Sequence, residues 1–80
     1  MKLKVLLFGI STDLVGANSL DIEFSENKSV LELKKTLQDK FPQMSELNSY
    51  AIAVNESYAN DHTQLKENDV VAIIPPVSGG

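Results

Sequence analysis

The spacing of apolar and polar side chains along the chain predicts five short strands. Each segment either alternates between apolar and polar positions or is rich in β-branched and aromatic residues, as half-buried strands are. Val70–Ile74 is apolar on both sides, which predicts a central place in the sheet, and Pro75 then ends it because proline donates no backbone N–H. The predicted strands are Lys2–Phe8, Ser19–Phe24, Tyr50–Val54, Ser57–Ala59 and Val70–Ile74. A tight turn is predicted at Asn55-Glu56, and Pro42–Ser49 is predicted to be a loop.

One amphipathic helix is predicted between the second and third strands. Ser29 and Glu32 have the spacing of a capping box at its start, and Pro42 ends it. A short extra helical turn is predicted at Ser11–Val15, with a hydroxyl as its N-cap and Gly16 as its stop. The apolar positions of the main helix, which recur at helical spacing, are Val30, Leu33, Leu37 and Phe41.

The order of these elements predicts a two-layer α+β fold, in which one sheet packs against one main helix. We expect residues 1–80 to form a single domain, with residues 75–80 as a flexible C-terminal tail. The chain is 42% hydrophobic and 22% charged, which is ordinary globular composition and excludes a disordered chain or a fibre.

The charge and cysteine content exclude several classes of function. Seven lysines, no arginine and eleven carboxylates give a net charge of −4, which argues against nucleic acid and anionic membranes as partners. The absence of cysteine excludes disulfides, thiolate catalysis and cysteine metal sites. Met1–Lys4 lacks the features of a signal peptide, so we expect a cytoplasmic protein.

The outward face of the first strand carries apolar side chains that a lone domain has no reason to expose. If the odd-numbered residues of this strand face the helix, Leu6 and Phe8 face away from it. Tyr58 and Ile74 are predicted to share that outward face. Since one helix covers one side of a sheet, these four residues are predicted to bind a partner. A register shifted by one residue is the alternative, because it would exchange the two faces.

Three residues have the side chains of a hydrolase triad, namely Ser11, Asp13 and His62. No G-x-S-x-G turn precedes the serine, and so small a domain leaves little room for a substrate pocket. We therefore interpret Ser11 as a helix cap and His62 as a surface histidine. His62 beside Asp61 lacks a second ligand at a recognised spacing, so no metal site is predicted.

The C-terminal tail begins with two prolines, which restrict the backbone, and ends with two glycines, which have no side chains. Because glycine has no side chain, Gly79-Gly80 can enter a channel too narrow for other residues and carry the terminal carboxylate into a partner's buried site. The alternative is a frayed end or a cloning remnant. The residues predicted to thread into a partner are Pro75, Pro76, Val77, Ser78 and Gly79, with Gly80 as the reacting residue.

This tail carries a resemblance to a known family. Leu65–Gly80 resembles the end of the small, sulfur-carrier subunit of molybdopterin synthase (MoaD type), which closes with a strand followed by Pro-Pro-Val-x-Gly-Gly. Further similar segments are Val5–Phe8, Leu14–Gly16 and Ala53–Asn55, so the resemblance covers essentially the whole chain. It implies a ubiquitin-like β-grasp fold with a mixed sheet.

The resemblance also implies a sulfur carrier that is not an enzyme on its own. A ubiquitin-activating-enzyme-like adenylyltransferase would use ATP to adenylate Gly80, and a sulfur donor protein would convert the adenylate to a thiocarboxylate. The tail would then enter the large subunit of molybdopterin synthase, where the sulfur passes to a pyranopterin precursor of the molybdenum cofactor. No permanently bound cofactor is implied.

Three other functions stay open at this point. A ubiquitin-related protein modifier would join Gly80 to target lysines by an isopeptide bond. A thiamine sulfur carrier would use the same tail chemistry on another acceptor, and a plain β-grasp binding module would not use the tail at all. The Pro-Pro-Val match favours molybdopterin synthase, although the family commonly carries Arg-Glu where Thr12-Asp13 stand here.

Overall fold

The computed structural model describes residues 1–26, 28–46 and 50–75. It contains the five predicted strands and the main helix, with strand ends that differ by one residue at Phe8, Phe24 and Tyr50. None of the helices in these ranges has the length and apolar character needed to cross a membrane. The elements are β1 (Lys2–Leu7), α1 (Ile10–Val15), β2 (Ser19–Glu23), α2 (Val30–Lys40), a 3-10 helix (Pro42–Glu46), β3 (Ala51–Val54), β4 (Ser57–Ala59) and β5 (Val70–Ile74).

The five strands form one mixed sheet in the order β2-β1-β5-β3-β4. β1 and β5 run parallel at its centre, and the other neighbours are antiparallel. The central place predicted for β5 is therefore confirmed. β5 can occupy this place because both of its faces are apolar, so it can be flanked by strands on each side without burying charge.

The core lies between α2 and one face of the sheet, as the α+β prediction requires. In β1 the odd-numbered residues are buried and the even-numbered residues are more exposed, so the predicted facing is confirmed and the one-residue shift is excluded. Leu33 and Leu37 of α2 are completely buried against this face. The buried core residues are Leu3, Val5, Leu7, Ile22, Val30, Leu33, Leu37, Met44, Ile52, Leu65, Val71 and Ile73.

The predicted capping box starts α2. The backbone N–H of Ser29 donates to the Glu32 carboxylate at 2.9 Å, and the Glu32 N–H donates to the Ser29 hydroxyl at 3.3 Å. These bonds satisfy donors that the first turn of a helix otherwise leaves without partners. The Ser29 N–H and the Ser29 hydroxyl both donate to the Glu32 carboxylate, which holds the pKa of this carboxyl below its ordinary value because both bonds favour the ionised form.

A two-residue turn joins β3 to β4, as the sequence predicts. Asn55 and Glu56 have φ values of 50° and 72°, the combination of a type I′ turn. The Asn55 side chain accepts from the Val70 N–H at 3.0 Å and donates to the Asp69 carboxylate at 2.9 Å. Asp69 is buried and also accepts from the Lys66 N–H at 2.8 Å. These bonds fix the hairpin to the start of β5.

The short helix α1 begins differently from the prediction. Its N-cap is Gly9, which makes no side-chain cap bond, and the predicted hydroxyl cap at Ser11 is wrong. The Ser11 side chain is buried and turns back to the backbone of Phe8 instead. The predicted stop is confirmed, because Gly16 adopts the left-handed conformation with φ of 85° that glycine tolerates best.

The chain after α2 was expected to be an irregular loop but contains a 3-10 helix over Pro42–Glu46. Its Met44 side chain is buried in the core, and the Met44 N–H donates to the Phe41 carbonyl at 2.9 Å. The prediction missed this element because one buried methionine in a polar segment gives no periodicity to detect.

Candidate functional site

The sheet face opposite α2 is not covered by any of the described elements. Strand pairing places Leu6 of β1 beside Ala72 of β5, Ala72 beside Ala53 of β3, and Ala53 beside Tyr58 of β4. Because side chains opposite one another point to the same face, these four residues form a continuous apolar row across four strands. The row follows from register and could not be derived from any single strand.

A second, shorter row adjoins the first. Ile74 of β5 lies opposite Ala51 of β3. We refer to the two rows together as the apolar patch. Its middle is made of alanines, which are short and of which Ala53 is itself buried, while Leu6 stands at one side and Tyr58, 77% exposed, at the other. The apolar patch is therefore shallow in its centre and consists of Leu6, Ala51, Ala53, Tyr58, Ala72 and Ile74.

The other half of the same face is charged. Lys2 lies opposite Glu23, and Lys4 lies opposite Asp21, so β1 and β2 present two cross-strand pairs of opposite sign. Such pairs contribute modestly to sheet stability and carry no net charge together. This half is therefore polar and balanced, as expected for a sheet face in water.

The end of the sheet where β1 and β5 both finish brings the tail close to the apolar patch. Parallel pairing puts the last residues of both strands at the same end. A Cβ placed on Gly9 would lie 3.7 Å from the Pro75 side chain, so the chain leaves β5 beside the turn that follows β1. Phe8 belongs to this turn and is 50% exposed.

The predicted partner-binding residues can now be placed. Leu6, Tyr58 and Ile74 do share the uncovered face, as expected. Phe8 was predicted inside the first strand, which is wrong, because β1 ends at Leu7. Its exposed ring nevertheless stands at the sheet end from which the tail departs. That these residues bind a partner stays a prediction.

Of the predicted threading residues, Pro75 is described and is half-buried. Pro76, Val77, Ser78, Gly79 and Gly80 lie outside the described residues.

The residues considered for hydrolytic or metal chemistry do not form a site. The Ser11 hydroxyl is buried and bonded to backbone, so it is not presented to a substrate. Asp61 is engaged by Lys34, and His62 is exposed. Within residues 1–26, 28–46 and 50–75, no three His, Cys, Asp or Glu side chains are grouped to hold a metal ion.

Charges on the opposite side of the molecule form a small cluster around α2. The Lys34 ammonium donates to Asp61 at 2.7 Å and lies 5.7 Å from the centre of the Tyr50 ring. The hydrogen bond and the positive charge of Lys34 hold the pKa of the Asp61 carboxyl below its ordinary value. Burial, and to a lesser degree the Asp61 charge, raise the pKa of the Tyr50 hydroxyl. The cluster links α2 to the loop before β5.

Sequence reasoning missed the alanines of the apolar patch and the buried Asp69. Ala51, Ala53 and Ala72 enter the patch through register, which a single sequence does not reveal. Asp69 precedes a strand, where a carboxylate ordinarily indicates an exposed turn. Asn55 is the residue whose side chain points to Asp69, because its amide group donates to the Asp69 carboxylate.

Comparison with known protein families gives a match over nearly the whole chain. The family model described as the ThiS family matches residues 5–80. A curated relative from Caenorhabditis elegans, the molybdopterin synthase sulfur carrier subunit, is 35% identical over 83 residues. That alignment covers 100% of this chain and 99% of the relative.

The solved structures similar to this chain include two molybdopterin-converting-factor subunits. The putative molybdopterin converting factor, subunit 1, from Pyrococcus furiosus has a TM-score of 0.86 and 29% identity, covering 96% of this chain and 99% of its own. The other is a complex of subunits 1 and 2 of molybdopterin-converting factor from Helicobacter pylori. Its matching chain has a TM-score of 0.72 and 33% identity, with 100% of both chains covered. These similarities confirm the predicted β-grasp fold.

Proposed function

The chain belongs to the ThiS family, and from this membership we propose that it is the sulfur carrier subunit of a molybdopterin synthase. Support comes from relatives of that name that align with it from end to end. Further support comes from the similar Helicobacter pylori structure, in which subunit 1 is bound to subunit 2. The proposed partner is therefore the large subunit of the synthase.

The observation that carries the proposal is the position of β5. This central strand supplies Ala72 and Ile74 to the apolar patch, and the next residue, Pro75, begins the tail. A partner that covers the apolar patch would therefore stand directly beside the point where the tail leaves the sheet. Docking of the domain and insertion of the tail would then be one event, with the patch supplying affinity and the tail supplying the reacting group.

The proposed chemistry takes place at the carboxylate of Gly80. A carboxylate is a poor acyl donor, because its negative charge repels nucleophiles. An adenylyltransferase of the ubiquitin-activating type would join it to AMP from ATP, with release of pyrophosphate. A donor that supplies sulfur at the oxidation level of sulfide would then displace AMP and leave a thiocarboxylate. In the large subunit this sulfur would bond to a pyranopterin precursor, and water would release the chain with its Gly80 carboxylate restored.

The catalytic groups in this scheme belong to the partners, and this chain supplies the carrier. Gly79 and Gly80 would pass through a narrow channel because neither has a side chain. The chain contains no cysteine, so no thiol of its own competes for the activated Gly80.

Mass spectrometry of the intact protein tests the proposal. After incubation with the activating enzyme, ATP and the sulfur donor, the mass should change by one exchange of oxygen for sulfur. The change should map to the tryptic peptide that follows Lys66. Covalent attachment of the chain to lysines of other proteins would instead favour the modifier function, and an unmodified Gly80 with an active cognate enzyme would contradict both.

A change in the tail gives the matching functional test. We expect Gly79→Trp to abolish dithiolene formation in a reconstituted synthase, because the indole would block the channel. The thermal midpoint should stay unchanged, since the described core ends at Ile73. Gly79→Ala is the control for size, and we expect it to retain more activity than Gly79→Trp. Full activity of the tryptophan variant would contradict insertion of the tail.

A further inference from the structure

The turn between β1 and α1 is held by a buried hydroxyl. The Ser11 side chain is completely buried, although serine is usually exposed. Its Oγ accepts a hydrogen bond from the Phe8 N–H at 3.1 Å and donates one to the Phe8 carbonyl. The Ser11 N–H also donates to that carbonyl, at 3.2 Å. Ser11 therefore satisfies both backbone polar groups of Phe8.

The need for this hydroxyl arises at Gly9. Gly9 has φ of 56° and ψ of −137°, a conformation essentially restricted to glycine, and as N-cap of α1 it provides no side chain to close the turn. A hydroxyl can accept and donate at once, so the single Ser11 side chain closes the turn on the β1 side of Gly9. The bonds go to Phe8 rather than to the start of the helix.

We infer that Ser11 is a positioning residue that sets the direction of the Phe8 ring for docking onto the large subunit, an inference that rests on the proposed function. Bonds to both backbone groups of Phe8 fix its Cα–Cβ direction before any partner arrives. A half-exposed aromatic ring is the type of side chain that anchors interfaces. Fixing the Phe8 backbone in the free protein removes part of the ordering cost that binding otherwise carries.

A double-mutant cycle separates positioning from a purely structural role. The four proteins are wild type, Ser11→Ala, Phe8→Ala and the double variant, each titrated with the large synthase subunit from the same organism. We expect Ser11→Ala to weaken binding about three- to tenfold, the range for loss of a hydrogen bond. In the Phe8→Ala background the same change should weaken binding less than about twofold, because no ring is left to position.

Ser29→Ala is the matched control for stability. It removes the capping box of α2 and lowers stability without touching the turn at Phe8. We expect unchanged affinity for the large subunit. If Ser29→Ala and Ser11→Ala weaken binding equally, or if Ser11→Ala acts equally in both Phe8 backgrounds, the inference is overturned. Should Ser11→Ala not fold, Ser11→Cys keeps the volume with a weaker donor, and the same cycle applies.

Amide exchange provides a readout that needs no partner. Exchange of the Phe8 N–H should be faster in Ser11→Ala than in wild type, while exchange at Leu33 in α2 should follow only the change in global stability. Equal protection of Phe8 in both proteins would overturn the inference. Wild type that fails to bind the large subunit would overturn the proposed function as well. Binding that is weakened by Phe8→Ala and left unchanged by Ser11→Ala would overturn the inference alone.

Discussion

The two faces of the sheet are both apolar near its centre, but only one of them is buried within the domain. The face toward α2 is sealed, with Val5, Val71 and Ile73 completely buried. The opposite face carries Leu6, Ala72 and Ile74 on the same two strands, and these remain partly exposed. A strand that is apolar on both sides is ordinarily covered on both sides. This difference is the one expected if the proposed large subunit supplies the second cover.

The exposed face is also less bulky than the sealed one. The sealed face is filled by leucine, isoleucine and valine, whereas three of the six residues in the apolar patch are alanines. A flat surface with a few protruding side chains suits docking and release, because little of the domain's own stability depends on it. We therefore expect substitutions on the two faces to separate stability from binding.

The largest effect is expected on the sealed face. Leu33 of α2 is completely buried, so Leu33→Ala should lower the free energy of unfolding by about 2–5 kcal/mol through lost contacts and a cavity. Urea denaturation followed by circular dichroism measures this loss. Leu31→Ala is the control, because Leu31 lies on the same helix and is exposed, so its effect should be within about 0.5 kcal/mol. Equal losses would contradict the assigned helix face.

The next effect is expected at the end of the exposed face. Phe8→Lys should change the free energy of unfolding by less than about 1 kcal/mol, since the ring is half exposed. It should weaken association with the large subunit by about 2 kcal/mol or more, roughly 30-fold, because a charge would replace an aromatic anchor. Calorimetric titration measures the association.

Gln38→Lys is the control for that charge, because it adds the same charge on the exposed side of α2. We expect it to bind normally. If Phe8→Lys unfolds the protein while Leu33→Ala does not, the assignment of the two faces is wrong.

The smallest effect is expected at the ion pair between Lys34 of α2 and Asp61. The hydrogen bond and charge of Lys34 hold the pKa of the Asp61 carboxyl below its ordinary value of 3.8. A carboxyl with a lowered folded-state pKa stabilises the fold above its unfolded pKa, and this contribution is lost as pH falls through the folded value. Asp61→Asn should therefore be less stable than wild type at neutral pH, and the difference should vanish in acid.

The two groups are exposed enough for solvent to screen their interaction, so the effect should be small. Thermal melts of both proteins between pH 7 and pH 2 measure it. As a control, Asp39→Asn makes the same charge change at an exposed carboxylate on α2, and we expect its stability at neutral pH to stay within about 0.5 kcal/mol of wild type. A stability difference that persists undiminished in acid would show that the Asp61 charge is not involved.

The elements predicted correctly are those whose signal is local. The capping box of Ser29 and Glu32 lies within four residues, and the turn at Asn55-Glu56 needs only two. Each can be read without knowing what packs against it. The central place of β5 was also predictable, because a strand with two apolar faces has few other places in a small sheet.

The errors occur where distant residues decide the structure. The cap of α1 moved from Ser11 to Gly9 because the Ser11 hydroxyl bonds Phe8 at the end of β1. Met44 is buried because its 3-10 helix packs against both α2 and α1, which the local sequence does not show. For the candidate site, the outward residues were predictable from alternation, but their assembly into the apolar patch required the register of four strands.

The parallel pairing of β1 with β5 has a consequence for synthesis of the chain. β1 leaves the ribosome first of the five strands and β5 last, yet Lys4 pairs with Val70 at the centre of the sheet. Until β5 emerges, β1 has no central neighbour and α2 has only part of the surface it covers. Closure of so long a loop slows folding, because its entropic cost comes before the contacts that offset it. A nascent chain that stops before β5 cannot complete the core, and under the proposed function it would have no Gly80 to be activated.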